Sequence, residues 1–246
     1  MPPIAFQLYS ARNAGPLGDL LAELASLGYD SVEGYGALYP TIAEAEALRK
    51  SLDEHELTMP TGHIGLDVIE GSPETAIGIA KALGLSHVIG PYLGPGDRPV
   101  GPGGWEAFAR RLEAASEPIR AAGLGFGWHN HDFELENFGG RTPLDIILTG
   151  STIGLELDIG WVYKAGHDPL AWIERTADRL IAVHLKDVAP FGNNAEDGWA
   201  DLGSGEMEWG PILAALKDSS AQVFVVEHDN PSDASRFARN SKAFLS

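Results

Sequence analysis

Two stretches, residues 180–187 (LIAVHLKD) and residues 222–229 (QVFVVEHD), decide the reading of the fold. Each is a short apolar run that ends abruptly in a histidine or an acid. Apolar runs of this length, free of alternation, are what strands buried on both faces of a parallel sheet look like. The same pattern recurs outward from these two. It appears at residues 4–10 (IAFQLYS), 30–34 (DSVEG), 57–65 (LTMPTGHIG), 86–93 (SHVIGPYL), 124–131 (LGFGWHNH) and 153–160 (IGLELDIG). Between the strands lie helical patterns with end signals. Thr41 with Glu44 forms a capping box, Pro73 suits a first helical turn, and Gly28 sits where a helix C-terminus is expected.

Eight strands alternating with helical segments imply parallel pairing through helical crossovers. The expected fold is α/β, a (β/α)8 TIM barrel occupying residues 1–246 as a single domain, with an open doubly wound sheet as the alternative. No G-x-G-x-x-G follows the first strand and no G-x-x-x-x-G-K-[ST] occurs, which weakens a nucleotide-binding open sheet.

Composition narrows the function classes. Seventeen basic residues face 35 acidic ones, a formal charge of −18 with no basic run, so nucleic acid is not an expected partner. The absence of cysteine removes disulfides and thiolate chemistry, and leaves His, Asp and Glu as the only metal donors. No run approaches the roughly 18 apolar residues of a membrane span, and the first residues carry no signal-peptide pattern. A cytoplasmic protein without membrane contact is expected.

In a barrel the side chains at the C-terminal strand ends converge on one cavity. Here those ends carry Glu33, His63, His129, His131, Asp158, His184 and Glu227. Each alone reads as a cap, a loop acid or a satisfied core histidine; at matched depth on successive strands they read as a site. Strand parity turns His129 and His131 inward above Gly125 and Gly127, because the opposite phase crowds the lumen with Trp128 and Phe126. Asp158, His184 and Glu227 make an N/O ligand set suited to Mn2+, Mg2+, Zn2+, Co2+ or Fe2+. A fourth ligand is expected from His129, His131 or Glu134. Lys186 shares the parity of His184 and is placed to steady an oxyanion, or else pairs with Asp187 or Glu156. Glu33 and His63 are candidates for substrate hydroxyls, and Trp161 and Trp199 for pocket walls. The long segment 188–206 is a candidate lid.

These residues sit in a chain that resembles the xylose isomerase-like TIM-barrel superfamily, and within it the sugar phosphate isomerase/epimerase group with its inosose dehydratase and endonuclease IV relatives. The resemblance is carried by residues 6–12 (FQLYSAR), 28–36 (GYDSVEGYG), 128–136 (WHNHDFELE), 156–166 (ELDIGWVYKAG), 183–188 (VHLKDV), 201–209 (DLGSGEMEW) and 225–229 (VVEHD). It implies one divalent metal held by a Glu, an Asp, a His and a second Glu from successive strands. The last three match Asp158, His184 and Glu227. The first is replaced by His129-Asn130-His131, so Glu134 from the following loop, or else His129, is the expected fourth ligand.

The resemblance further implies isomerisation or epimerisation of a sugar or sugar phosphate through an enediolate. Glu227 would be one acid/base group, with His129 or His131 as the other. A dehydratase or lyase acting on a keto sugar or inosose begins with the same proton removal. An endonuclease-like phosphodiesterase and a non-catalytic sugar-binding barrel are the remaining readings. The expected partner is a small sugar or polyol, and a homo-oligomer is left open.

Overall fold

A computed structural model describes residues 2–246. Eight strands form one parallel sheet: β1 (Ile4–Gln7), β2 (Ser31–Glu33), β3 (Thr61–His63), β4 (His87–Gly90), β5 (Gly125–His129), β6 (Gly154–Asp158), β7 (Leu180–Leu185) and β8 (Val223–Val226). Their order around the sheet is β2-β1-β8-β7-β6-β5-β4-β3, and parallel bridges from Ser31 to Thr58 and Gly34 to Gly62 bring β2 against β3. Helices cover the outside, so the architecture is the single-domain TIM barrel expected from the alternation.

The strands end earlier than the apolar runs imply. Residues 8–11 turn into a short 3-10 helix, capped by Gln7, whose side-chain oxygen accepts the Tyr9 N–H. After Asp158 the chain enters the helix Ile159–Lys164, and Asp158 itself caps it by accepting the Trp161 N–H at 2.9 Å. Gln7 and Asp158 are thus both strand ends and N-caps of the helical turns that follow them.

The floor of the lumen is apolar: Ala5, Ile89, Ile181, Ala182, Val223 and Val225 pack together. A register shift between β6 and β7 brings Ile181 inward, and glycine makes room for it. A Cβ on Gly127 or Gly154 would meet the Ile181 side chain at 2.8 and 2.1 Å, so a side chain at either position would displace Ile181. This plug sets the height at which the polar residues begin.

The segment after β7 is tied down along its length. The Asp187 carboxylate accepts the backbone N–H groups of Val188, Gly203 and Gly205 and the indole N–H of Trp209. Arg236 pairs with Glu196 and Asp201 from outside. A two-residue antiparallel ribbon, Asp187–Val188 with Trp199–Ala200, closes the segment. The candidate lid is therefore a pinned rim in this structure, and Asp187, a proposed partner of Lys186, is committed to holding it.

Candidate active site

Parallel strands with a common inward phase bring ten polar side chains into the upper lumen. Gln7, Glu33, Thr61 and His63 come from β1–β3, His129 from β5, Glu156 and Asp158 from β6, His184 from β7, with Lys186 and Glu227 just beyond β7 and β8. All ten are buried. Above them opens a cavity of about 520 Å3 lined by Tyr9, Arg12, Tyr35, His63, Tyr92, His129, His131, Trp161, Lys186, Asp197, Glu227 and Asp229. Its size is that of a small-molecule site.

His184 is the hub. Its Nδ1–H donates to Glu227 at 2.8 Å and its Nε2–H donates to Glu33 at 2.7 Å. Burial works against its charge, but the carboxylates of Glu156, Glu227 and Glu33 prevail and hold its pKa well above the ordinary value. Glu227 is buried too, yet Lys186 and His184 keep it ionised below the usual carboxylate range. Lys186, only 1% exposed, donates to Asp229 at 2.6 Å and Glu227 at 3.2 Å, and lies 3.5 Å from Asp158. For Asp158, burial dominates the opposing Lys186 and lifts the carboxyl to about 6.

Asn130 points sideways between β5 and β6. Its amide donates to the Asp158 carbonyl at 3.3 Å and its oxygen accepts the Asp158 N–H at 3.0 Å. The two histidines flanking it face the cavity. Burial pushes the His131 imidazole down to about 3 and holds His129 well below its ordinary value, so both are neutral. His131 packs on Phe133, Tyr92 and Trp161.

The donor chemistry fits a divalent ion. One donor atom each from His129, Asp158, His184 and Glu227 lies within 4.8 Å of the others, and all four residues are buried. The Nδ1 of His129 is buried without a hydrogen-bond partner, a state that a Lewis acid relieves. Two carboxylates offset the ion's charge while two imidazoles give directional donors.

Glu134 does not join them. One of its oxygens accepts the Trp128 indole N–H at 2.9 Å and the other accepts the His131 backbone N–H at 2.8 Å. It is engaged with Trp128 and the strand backbone and stays apart from the cluster, contrary to the expectation of Glu134 as fourth ligand, whereas His129 is grouped with the other three donors. Glu33 also departs from expectation. It sits below the cavity wall with its oxygens held by Gln7, Thr61 and His184, and is no direct substrate contact. His63 and Trp161 do line the cavity, whereas Trp199 backs Trp161 in an edge-on contact at 4.8 Å.

Glu156, Asp229, Arg12 and Asn130 were not legible as site residues. Glu156 had a signal: it lies two residues before Asp158, hence on the same face of β6. The others join through loops and sideways contacts that strand parity does not describe.

The sequence model of the xylose isomerase-like TIM barrel matches residues 21–245. The chain belongs to this family. Within curated proteins it is similar to the rhizopine catabolism protein MocC of Rhizobium meliloti, 28% identical over 191 residues that cover 70% of this chain and 58% of that one. It is also similar to an inosose dehydratase of Lacticaseibacillus casei, 25% identical over 159 residues, 56% of this chain and 52% of that one. The chain thus spans somewhat over half the length of the curated relatives it matches. Among solved structures, a sugar phosphate isomerase/epimerase from Parabacteroides distasonis superposes with a TM-score of 0.84 at 20% identity, covering 99% of this chain and 93% of that chain. That likeness is one of fold.

Proposed function

We propose that the protein is a divalent-metal-dependent enzyme that moves a proton at the carbon beside a carbonyl of a small sugar or polyol, with isomerisation or epimerisation as the outcome. The observation that carries this reading is the convergence of Asp158, Glu227, His184 and His129 directly beneath a cavity walled by aromatic residues. His129, Asp158, His184 and Glu227 would hold the ion, which when bound supplies polarisation of a substrate oxygen.

The chain's own groups supply the rest. Glu227 reaches the cavity as an ionised carboxylate and is suited to accept a proton. His131 faces the same space as a neutral imidazole, with Nδ1 buried and unpartnered, and is placed to hydrogen-bond a substrate hydroxyl, while the proton taken up by Glu227 returns from Glu227 to the neighbouring carbon. The Lys186 ammonium lies beside Glu227 and can stabilise negative charge developing on a substrate oxygen. The Trp161 indole N–H is likewise buried without a partner at the cavity wall, a donor aimed at a substrate hydroxyl. Tyr35, Tyr92 and Trp161 offer faces on which a sugar ring can stack.

Loss of water from the same class of substrate is the second reading, favoured by the likeness to inosose dehydratase. Both begin with the same proton transfer and diverge in product. The test is exchange of the α-hydrogen of candidate ketoses and inososes in deuterated water with Mn2+ present. Exchange that disappears in Glu227→Gln supports the reading, while no exchange with any carbonyl polyol in the panel contradicts it. Product analysis then separates isomer from dehydrated product.

A further inference from the structure

Barrel lumens are ordinarily filled by layers of branched aliphatic side chains. Here only the floor follows that rule, and the layer above it holds Gln7, Glu33, Thr61, His63, Glu156 and His184. Glu156 and Glu33 are fully buried carboxylates that the proton transfer at the mouth does not use. Burying two acids in a lumen carries a heavy desolvation cost unless cations meet them there.

The geometry around Glu156 is specific. Its Oε2 lies 2.6 Å from His63 Nε2, 3.2 Å from His184 Nε2 and 3.3 Å from His129 Nδ1. Imidazoles from β3, β5 and β7 thus surround one carboxylate oxygen from β6. Donor atoms of these four residues lie within 4.8 Å of one another. Two polar atoms in this set are buried without a hydrogen-bond partner, His129 Nδ1 and Glu156 Oε1. Glu33 backs the cluster, 3.2 Å from His63 and 2.7 Å from His184, and is itself oriented by Gln7 and Thr61. Metal ligands are characteristically supported in this way.

The geometry points to a second cation position one layer below the mouth, with His63, His129, Glu156 and His184 as ligands, taking a nitrogen-preferring divalent transition ion such as Zn2+ or Co2+. An ion there replaces the protons that now bridge imidazole and carboxylate, and Glu156 with Glu33 matches its charge. His129 and His184 belong to both sets, so the two positions are alternatives for a single ion. Their donor sets differ in kind. The mouth set has two carboxylates and two imidazoles, which suits Mn2+ or Mg2+; the lumen set has three imidazoles and one carboxylate, the carboxylate of Glu156 being fully buried. Which ion the chain carries then decides where in the barrel it sits.

The test is direct titration of the purified chain with Co2+, followed by its visible absorption, and with Mn2+, followed by loss of the free-ion spin-resonance signal. Wild type, Glu156→Gln, His63→Gln and Glu227→Gln are compared, with circular dichroism reporting folding. The expected result is Co2+ binding weakened by about tenfold or more, with an altered spectrum, in Glu156→Gln and His63→Gln. Mn2+ binding in those variants should stay near wild type, and Glu227→Gln should show the reverse pattern. Co2+ spectrum and affinity unchanged in the folded Glu156→Gln and His63→Gln variants overturn the proposal, and so does equal weakening of both ions. Failure of wild type to bind Mn2+ counts against the mouth site alone, since the Co2+ comparison decides the lumen site separately.

Discussion

Asn130 holds Asp158 from both sides, accepting its backbone N–H at 3.0 Å and donating to its carbonyl at 3.3 Å. A side chain that never faces the cavity thereby fixes the strand end from which a candidate ligand projects. Asn130→Ala leaves the buried Asp158 N–H unpaired, at a cost of about 1–3 kcal/mol in chemical denaturation. Metal affinity measured by calorimetry should fall by about 10–100-fold, as for other groups that orient ligands.

Asp158 has two roles that one substitution separates. Asparagine caps helices about as well as aspartate, so Asp158→Asn should keep the Trp161 N–H bond and stay within about 1 kcal/mol of wild-type stability. Mn2+ binding should be lost. A variant that unfolds shows that the charge of Asp158 matters to the fold, and a variant that binds Mn2+ normally removes it from the site.

Lys186 is a tethered cation among Asp158, Glu227 and Asp229. Replacing it by methionine leaves buried carboxylates without their counter-charge, an expected loss of about 3–5 kcal/mol. A divalent ion bound by the same carboxylates offsets part of that loss. Thermal melts with and without Mn2+ should therefore show a larger ion-induced rise for Lys186→Met than for wild type.

Glu134 governs a pH dependence. Burial raises its carboxyl from near 4.5 to about 8, against the opposing hydrogen bonds from His131 and Trp128. Between those values the folded chain holds a proton that the unfolded chain has released, so this group makes stability fall as pH rises from about 4.5 to about 8. Glu134→Gln should flatten that part of the stability profile measured by urea denaturation. An unchanged slope in the variant excludes Glu134 as its source.

How far the sequence exposes this site follows from what strand parity can describe. The eight strands, the single barrel and the convergence of Asp158, His184 and Glu227 are legible because apolar runs end in polar residues at one level. Room above Gly127 was legible too, although the Ile181 that fills it arrives through a register shift no pattern signals. Glu134 misleads because a carboxylate near a strand end in sequence can turn outward, here to satisfy the Trp128 indole. The His63–Glu156 pair joins β3 to β6 across the lumen, and such cross-barrel distances depend on the stagger of the closed sheet.

The central claim is that the barrel mouth binds one divalent ion through His129, Asp158, His184 and Glu227. Equilibrium dialysis against Mn2+ tests it most directly, using wild type and a chain carrying Asp158→Asn with Glu227→Gln. The predicted result is one Mn2+ per wild-type chain and none in the folded double variant. No uptake by wild type, or equal uptake by both chains, contradicts it.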